Sequence, residues 1–153
     1  MVDQTSPSDR RIVVGVDGSE CSKNALAWAL NQARRSGARV EAVCTWQEPA
    51  MYGFSYASAP GVFEGESLSV LTEKTLRETI AEVSGRVAGA GVVEVVPMVV
   101  EGPPAMVLLR IAAGAELLVV GSRGHGAFSG MLLGSVSQHC VQHAPCPVAV
   151  IPE

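Results

Sequence analysis

Val120-Gly121-Ser122-Arg123-Gly124-His125-Gly126-Ala127-Phe128-Ser129-Gly130-Met131-Leu132-Leu133-Gly134-Ser135-Val136-Ser137 leads from an apolar, strand-like run into a segment with helical character. Glycines let a backbone approach a ligand closely and adopt positive φ at little cost. A helix beginning at Gly134-Ser135 offers unpaired N–H groups and the positive end of its dipole, which suits phosphate. The passage predicts a nucleotide site built mainly from main chain.

The flanking sequence supplies the rest of an α/β fold. Arg11 to Asp17 is a short β-branched run closed by Asp17-Gly18, and so reads as a buried strand. Ser19 is placed to cap a helix whose Ala25, Leu26, Ala29, Leu30 and Ala33 recur at helical spacing, with Gly37 to end it. Val40 to Trp46 reads as a second strand, Val92 to Val100 as a third, Glu116 to Gly121 as a fourth and Pro147 to Ile151 as a fifth. Pro97 cannot donate to a ladder, which puts the third strand at a sheet edge.

Between these strands, Glu66 to Ala88 reads as the longest helix. Leu68, Leu71, Leu76, Ile80, Val83 and Val87 make its apolar stripe, and Glu73/Arg77, Lys74/Glu78 and Glu82/Arg86 its wet side. Pro103 and Pro104 suit the first turn of a helix running through Met106, Leu109 and Ala113, and Ser135 to Ala144 forms the last one. Strands alternating with helices predict an open, doubly wound parallel sheet with helices on both faces, Rossmann-like, in a single domain over 11–152 after a flexible tail at 1–10. In such a sheet the ligand lies beyond the carboxyl ends of the strands, where strand order reverses. Gly15-Val16-Asp17-Gly18 and the Gly121 loop would then line one crevice.

Composition narrows the function. Of 153 residues, 48% are apolar and 17% charged, the balance of a dense core. A net charge of −4 excludes the basic stripe of a nucleic-acid binder. No apolar run approaches a membrane span, and the polar start resembles no secretory leader, so a cytoplasmic protein is expected. Cys21, Cys44, Cys140 and Cys146 lack the spacing of a disulfide scaffold. His139, Cys140, His143 and Cys146 gather around the last helix, but without an H-E-x-x-H pattern they read as packing and surface residues rather than a zinc site. The irregular 47–65 stretch holds Tyr52, Phe54, Tyr56 and Phe63, as a flap packed on the body or as a lid or docking surface.

Two general nucleotide motifs are missing. There is no G-x-x-x-x-G-K-[ST], and the first strand ends in GVDGS rather than G-x-G-x-x-G. What the chain has is Gly121-x2-Gly124-x9-Gly134-Ser135, which resembles the ATP-binding glycine signature of the universal stress protein family. The opening IVVGVDGSE and closing CPVAVI resemble that family's first and last strands, so the likeness runs from Arg11 to Ile151. It implies five parallel strands in the order 3-2-1-4-5, in accord with the edge position read from Pro97.

The resemblance also implies ATP as ligand, carried with Mg²⁺ on its phosphates. By position, Asp17 corresponds to a carboxylate near base and ribose, taken here as buried. Gly15 corresponds to a small residue that leaves the ligand room, and Thr45 (or Val43 or Cys44) to the strand that meets adenine. Val120 and Gly121 would lie beside the ribose. Gly124, Gly134, Ser135, Val136 and Ser137 would form the phosphate cradle, with the two serine hydroxyls donating to phosphate or capping the helix. Arg123 and His125 are open to pairing with phosphate or to solvation. The family likeness further implies a homodimer through the Pro147–Ile151 strand, and nucleotide-dependent regulation of an unidentified protein partner. No general base, Walker lysine or carboxylate pair argues for turnover, which leaves at most slow ATP hydrolysis. The alternatives are a slow ATP hydrolase or phosphotransfer enzyme, and a dimeric interaction module with a vestigial nucleotide site.

Overall fold

The computed structural model describes residues 9–47, 67–124, 130 and 132–153. The tail through Ser8, the 47–65 loop beyond Gln47, and His125 lie outside the described residues. The elements are β1 (Arg11–Gly15), α1 (Glu20–Ser36), β2 (Arg39–Trp46), α2 (Leu68–Arg86), β3 (Val95–Glu101), α3 (Pro104–Ile111), β4 (Leu117–Gly121), α4 (Ser135–His143) and β5 (Val148–Ile151). All neighbouring strands run parallel, in the order β3-β2-β1-β4-β5. The fold expected from the sequence is the fold observed, and Pro97 lies on an edge strand, opposite Ala42.

Side-chain alternation sorts the strands onto two cores. Ile12, Val14, Val40, Ala42 and Val119 pack beneath α1 and α2 with Leu26, Leu30, Leu76 and Val83. Val13, Val43, Leu118 and Val120 pack on the other face with Val107, Leu108, Ala112 and Cys140. Each large aliphatic side chain buried here contributes roughly 1.5–3 kcal/mol. Burial pushes the Cys140 thiol up to about 11.

Helix ends follow the expected chemistry. The Ser19 hydroxyl accepts the N–H of Ser22 at 3.2 Å, and Gly37, at φ 77°, donates to the Ala33 carbonyl at 2.8 Å. Pro104 occupies the first turn of α3. The C-terminus of α3 is tied down from β1. Arg11 donates from Nη1 to Glu41 Oε2 at 2.7 Å and to the Ile111 carbonyl at 2.8 Å, and from Nη2 to the Ala113 carbonyl. Arg10, the residue before β1, pairs with Glu116 at 2.9 Å.

Three local expectations need correction. The third strand begins at Val95, because Gly89 turns the chain at φ 77° into a 3₁₀ turn over Ala90–Val92 that leaves Val92 exposed. Helix α3 packs through Val107, Leu108 and Ala112, whereas Met106 is 65% exposed. Its sequence is apolar nearly all round, so no polar face marked its phase. On α2 only Leu76, Thr79 and Val83 are buried, and Leu68 and Leu71 are exposed. The first turns of α2 overhang a hollow of about 250 Å³ at the ends of β1 and β2 rather than a filled core. Of the three ion pairs read along α2, Glu73–Arg77 and Glu82–Arg86 form, and Lys74–Glu78 does not close among the described residues. Lys23 of α1 instead reaches across to Glu82 at 3.1 Å, which raises the lysine's pKa and lowers that of the carboxyl.

Candidate functional site

Because β1 and β4 are adjacent while their following helices cover opposite faces, a crevice opens at their carboxyl ends. It holds a cavity of about 500 Å³, within the size range of small-molecule sites. Every site residue named from the sequence lines it: Gly15, Asp17, Thr45, Val120, Gly121, Arg123, Gly124, Gly134, Ser135, Val136 and Ser137. Val16, read from the sequence as part of the crevice, lines it as well, and so do Ser22, Pro104 and Leu108, which the sequence did not single out. Leu108 brings α3 against the end of β1, since a β-carbon on Gly15 would stand 3.0 Å from its Cδ1. The available signal was the position of α3 as the crossover into β4, which must cover this face.

Strand parity settles the β2 register. Val43 belongs to the α3 core and Cys44 packs with the α1 core, so alternation turns Thr45 to the same face as Val43. Cys44 also lines the smaller hollow, where burial first and the Asp17 charge second raise its thiol pKa.

The three signature glycines have different surroundings. None adopts positive φ. At Gly121 a β-carbon would lie 2.9 Å from Cys21 Sγ and 3.0 Å and 3.1 Å from the Cys21 carbonyl carbon and oxygen. Its absent side chain therefore points at the start of α1, and only its backbone faces the cavity. At Gly124 a β-carbon would meet Asp17 Oδ2 at 2.5 Å. At Gly134 the nearest atoms are 3.4 Å away or more, which is ordinary contact.

Asp17 is exposed, not buried as expected. It follows the last residues of β1 at the mouth of the cavity. Its Oδ1 accepts the Ser19 N–H at 2.9 Å as well as the Ser19 hydroxyl, while its own N–H donates to Ser22 Oγ at 3.2 Å. The carboxylate thus braces the α1 cap and, through Oδ2, lies against the glycine loop.

The entry to α4 is organised around Ser122. Its N–H donates to the Ile151 carbonyl at 2.8 Å, and its carbonyl accepts the Gly134 N–H at 2.6 Å. The buried Ser137 Oγ lies 2.9 Å from that carbonyl and 3.0 Å from the carbonyl of Gly134. The Ser137 proton and the Gly134 amide are therefore committed to shaping the loop rather than to a phosphate. Neither Ser135 nor Ser137 caps α4; Gly134 takes the cap position without a side-chain bond. The N–H groups of Ser135, Val136 and Ser137 donate to no described acceptor, as a first helical turn leaves them. Those three amides, with the exposed Ser135 hydroxyl, make a cradle for an anion.

Among the described residues no three His, Cys, Asp or Glu side chains gather for a metal ion. The rings of His139 and His143 meet tilted, with centroids 4.7 Å apart, on the exposed side of α4, while Cys140 is buried in the core. No described helix is long and apolar enough to cross a membrane.

The profile of the universal stress protein family matches residues 9–152. A universal stress protein of Mycobacterium tuberculosis is 33% identical over 147 residues, which cover 96% of this chain and 46% of that one. The chain thus spans about half the length of the curated relatives it matches. Among solved structures, a universal stress protein in complex with cAMP superposes with a TM-score of 0.67 at 26% identity, over 94% of this chain and 96% of the other. The universal stress protein of Archaeoglobus fulgidus in complex with dAMP shares the fold at 22% identity, with a TM-score of 0.62 over 93% and 97% of the two chains.

Proposed function

The chain belongs to the universal stress protein family, and on that footing we propose that it binds ATP, with Mg²⁺ carried on the phosphates, as a nucleotide-dependent regulator of a protein partner. Residues 11–152 act as one nucleotide-binding domain. The setting is the reducing cytoplasm, where its four free cysteines stay as thiols.

One observation carries the reading: the amides of Ser135, Val136 and Ser137, which meet no acceptor among the described residues, line a cavity large enough for a nucleoside. Val43, Pro104 and Leu108 offer apolar surface in that cavity to a base, and Asp17, which also lines it, is an acceptor for ribose hydroxyls. The solved relative with cAMP holds an adenine nucleotide on the same fold.

Calorimetry with Mg-ATP tests this directly. Saturable binding is expected, and no heat at millimolar ATP would remove the proposal. Gly124→Ala is expected to weaken affinity about tenfold, the equivalent of roughly one hydrogen bond, with little change in melting temperature. The methyl displaces the Asp17 carboxylate, a flexible group, rather than backbone. Unchanged affinity in that variant would show that the Asp17–loop contact plays no part.

The homodimer belongs to the same proposal. β5 pairs only with β4 among the described residues, so its other edge is open, and Val148–Ile151 are all half-buried rather than buried. Pairing of two such edges about a two-fold axis closes both. Light scattering is expected to report twice the 15.9 kDa of one chain. A single-chain mass at micromolar concentration would refute it.

A further inference from the structure

Arg123 is the one cationic side chain lining the cavity among the described residues. It is not idle. Its Nη2 donates to Glu153 Oε2 at 2.9 Å, with side chains 31% and 60% exposed. The main chain explains the meeting. The Ser122 N–H bonds the Ile151 carbonyl at 2.8 Å, so β5 delivers Glu153 beside the residue that follows Ser122. Glu153 itself does not line the cavity.

We infer that Glu153 is a positioning residue that competes with the ligand's phosphates for Arg123, and so sets how strongly the site favours a phosphorylated ligand over the bare nucleoside. The inference rests on the adenine-nucleotide reading of the cavity. An exposed guanidinium–carboxylate pair is weak and salt-screened, so a phosphate can displace it at small cost. A guanidinium prefers the bidentate geometry of a phosphate and carries its charge at all relevant pH. Once the phosphate takes it, Glu153 is released just beyond the end of β5. Ligand occupancy is thereby coupled to the charge at the end of β5.

The test compares Mg-ATP with adenosine by calorimetry in wild type, Glu153→Gln, Arg123→Gln and the double variant, all at one low salt concentration. Glu153→Gln is expected to tighten ATP about threefold, the scale of an exposed ion pair, and to leave adenosine unchanged. Arg123→Gln weakens ATP and makes the second substitution silent. Equal change for both ligands, no change for either, or continued tightening of ATP in the Arg123→Gln background each overturns the inference. If wild type binds neither ligand, the adenine reading fails and takes this one with it. If it binds both but the variants do not split them, only the role of Glu153 falls.

Discussion

Gly121→Ala is expected to destabilise the protein by about 3 kcal/mol, at the upper end for overpacking, and to lower the melting temperature by about 10 °C. The methyl would stand 3.0 Å and 3.1 Å from the carbonyl carbon and oxygen of Cys21, as well as 2.9 Å from its sulfur. A side chain can rotate away, but the first turn of α1 cannot. It is anchored by the Ser19 cap and by the Cys21 thiol, which donates to the Ile151 carbonyl at 3.3 Å. To admit the methyl, α1 must lift from β4, which opens the core around Ala25 and Val119. Urea denaturation gives the comparison. Gly134→Ala, with no atom of the described residues nearer than 3.4 Å, should stay within about 0.5 kcal/mol of wild type. Equal midpoints for Gly121→Ala and wild type would mean that the contact with α1 relaxes freely.

The second large effect is expected at Glu41. This acid lies mid-strand in β2, 8% exposed, with Arg11 at 2.7 Å and Arg39 at 3.2 Å. Glu41→Ala leaves two guanidinium groups without their shared carboxylate, one of them only 19% exposed. Removing one partner of a buried pair costs about 3 kcal/mol or more, since the remaining charge stays desolvated. The Ile111 and Ala113 carbonyls still accept from Arg11, which keeps the expected loss near 3 kcal/mol rather than higher. Equilibrium unfolding in urea should show the shift at low salt and retain most of it at high salt, because the pair is shielded from solvent. A loss under about 1 kcal/mol would place this cluster with ordinary surface ion pairs.

Much of this architecture was readable before any coordinates. Period-two and period-3.6 patterns, the Ser19 and Gly37 caps, and one proline in β3 were enough for the element order and for one sheet edge. Most of the cavity's lining was readable as well, because the glycine spacing marks where β4 gives way to α4, but Ser22, Pro104 and Leu108 were not. What the chain did not declare was the reason for each glycine. Gly121 answers to Cys21, one hundred positions earlier, and Gly124 to Asp17. Such constraints exist only after β1 and β4 are neighbours. The phase of α3 was equally hidden, since Ala105 to Ala113 carries apolar residues on every side but that of Arg110. Asp17 was expected inside, yet a residue just beyond a strand end, hydrogen-bonded to the following turn, has no need of burial.

One thiol offers a practical opening. Cys44 borders both hollows, half-shielded beside Asp17, whereas Cys21 and Cys140 are shut in the interior. In a Cys146→Ser background, a maleimide dye would find Cys44 as its accessible target, slowly, since its raised pKa leaves little thiolate at neutral pH. Fluorescence from that position would report occupancy of either chamber as it happens, with no foreign cysteine grafted into the chain.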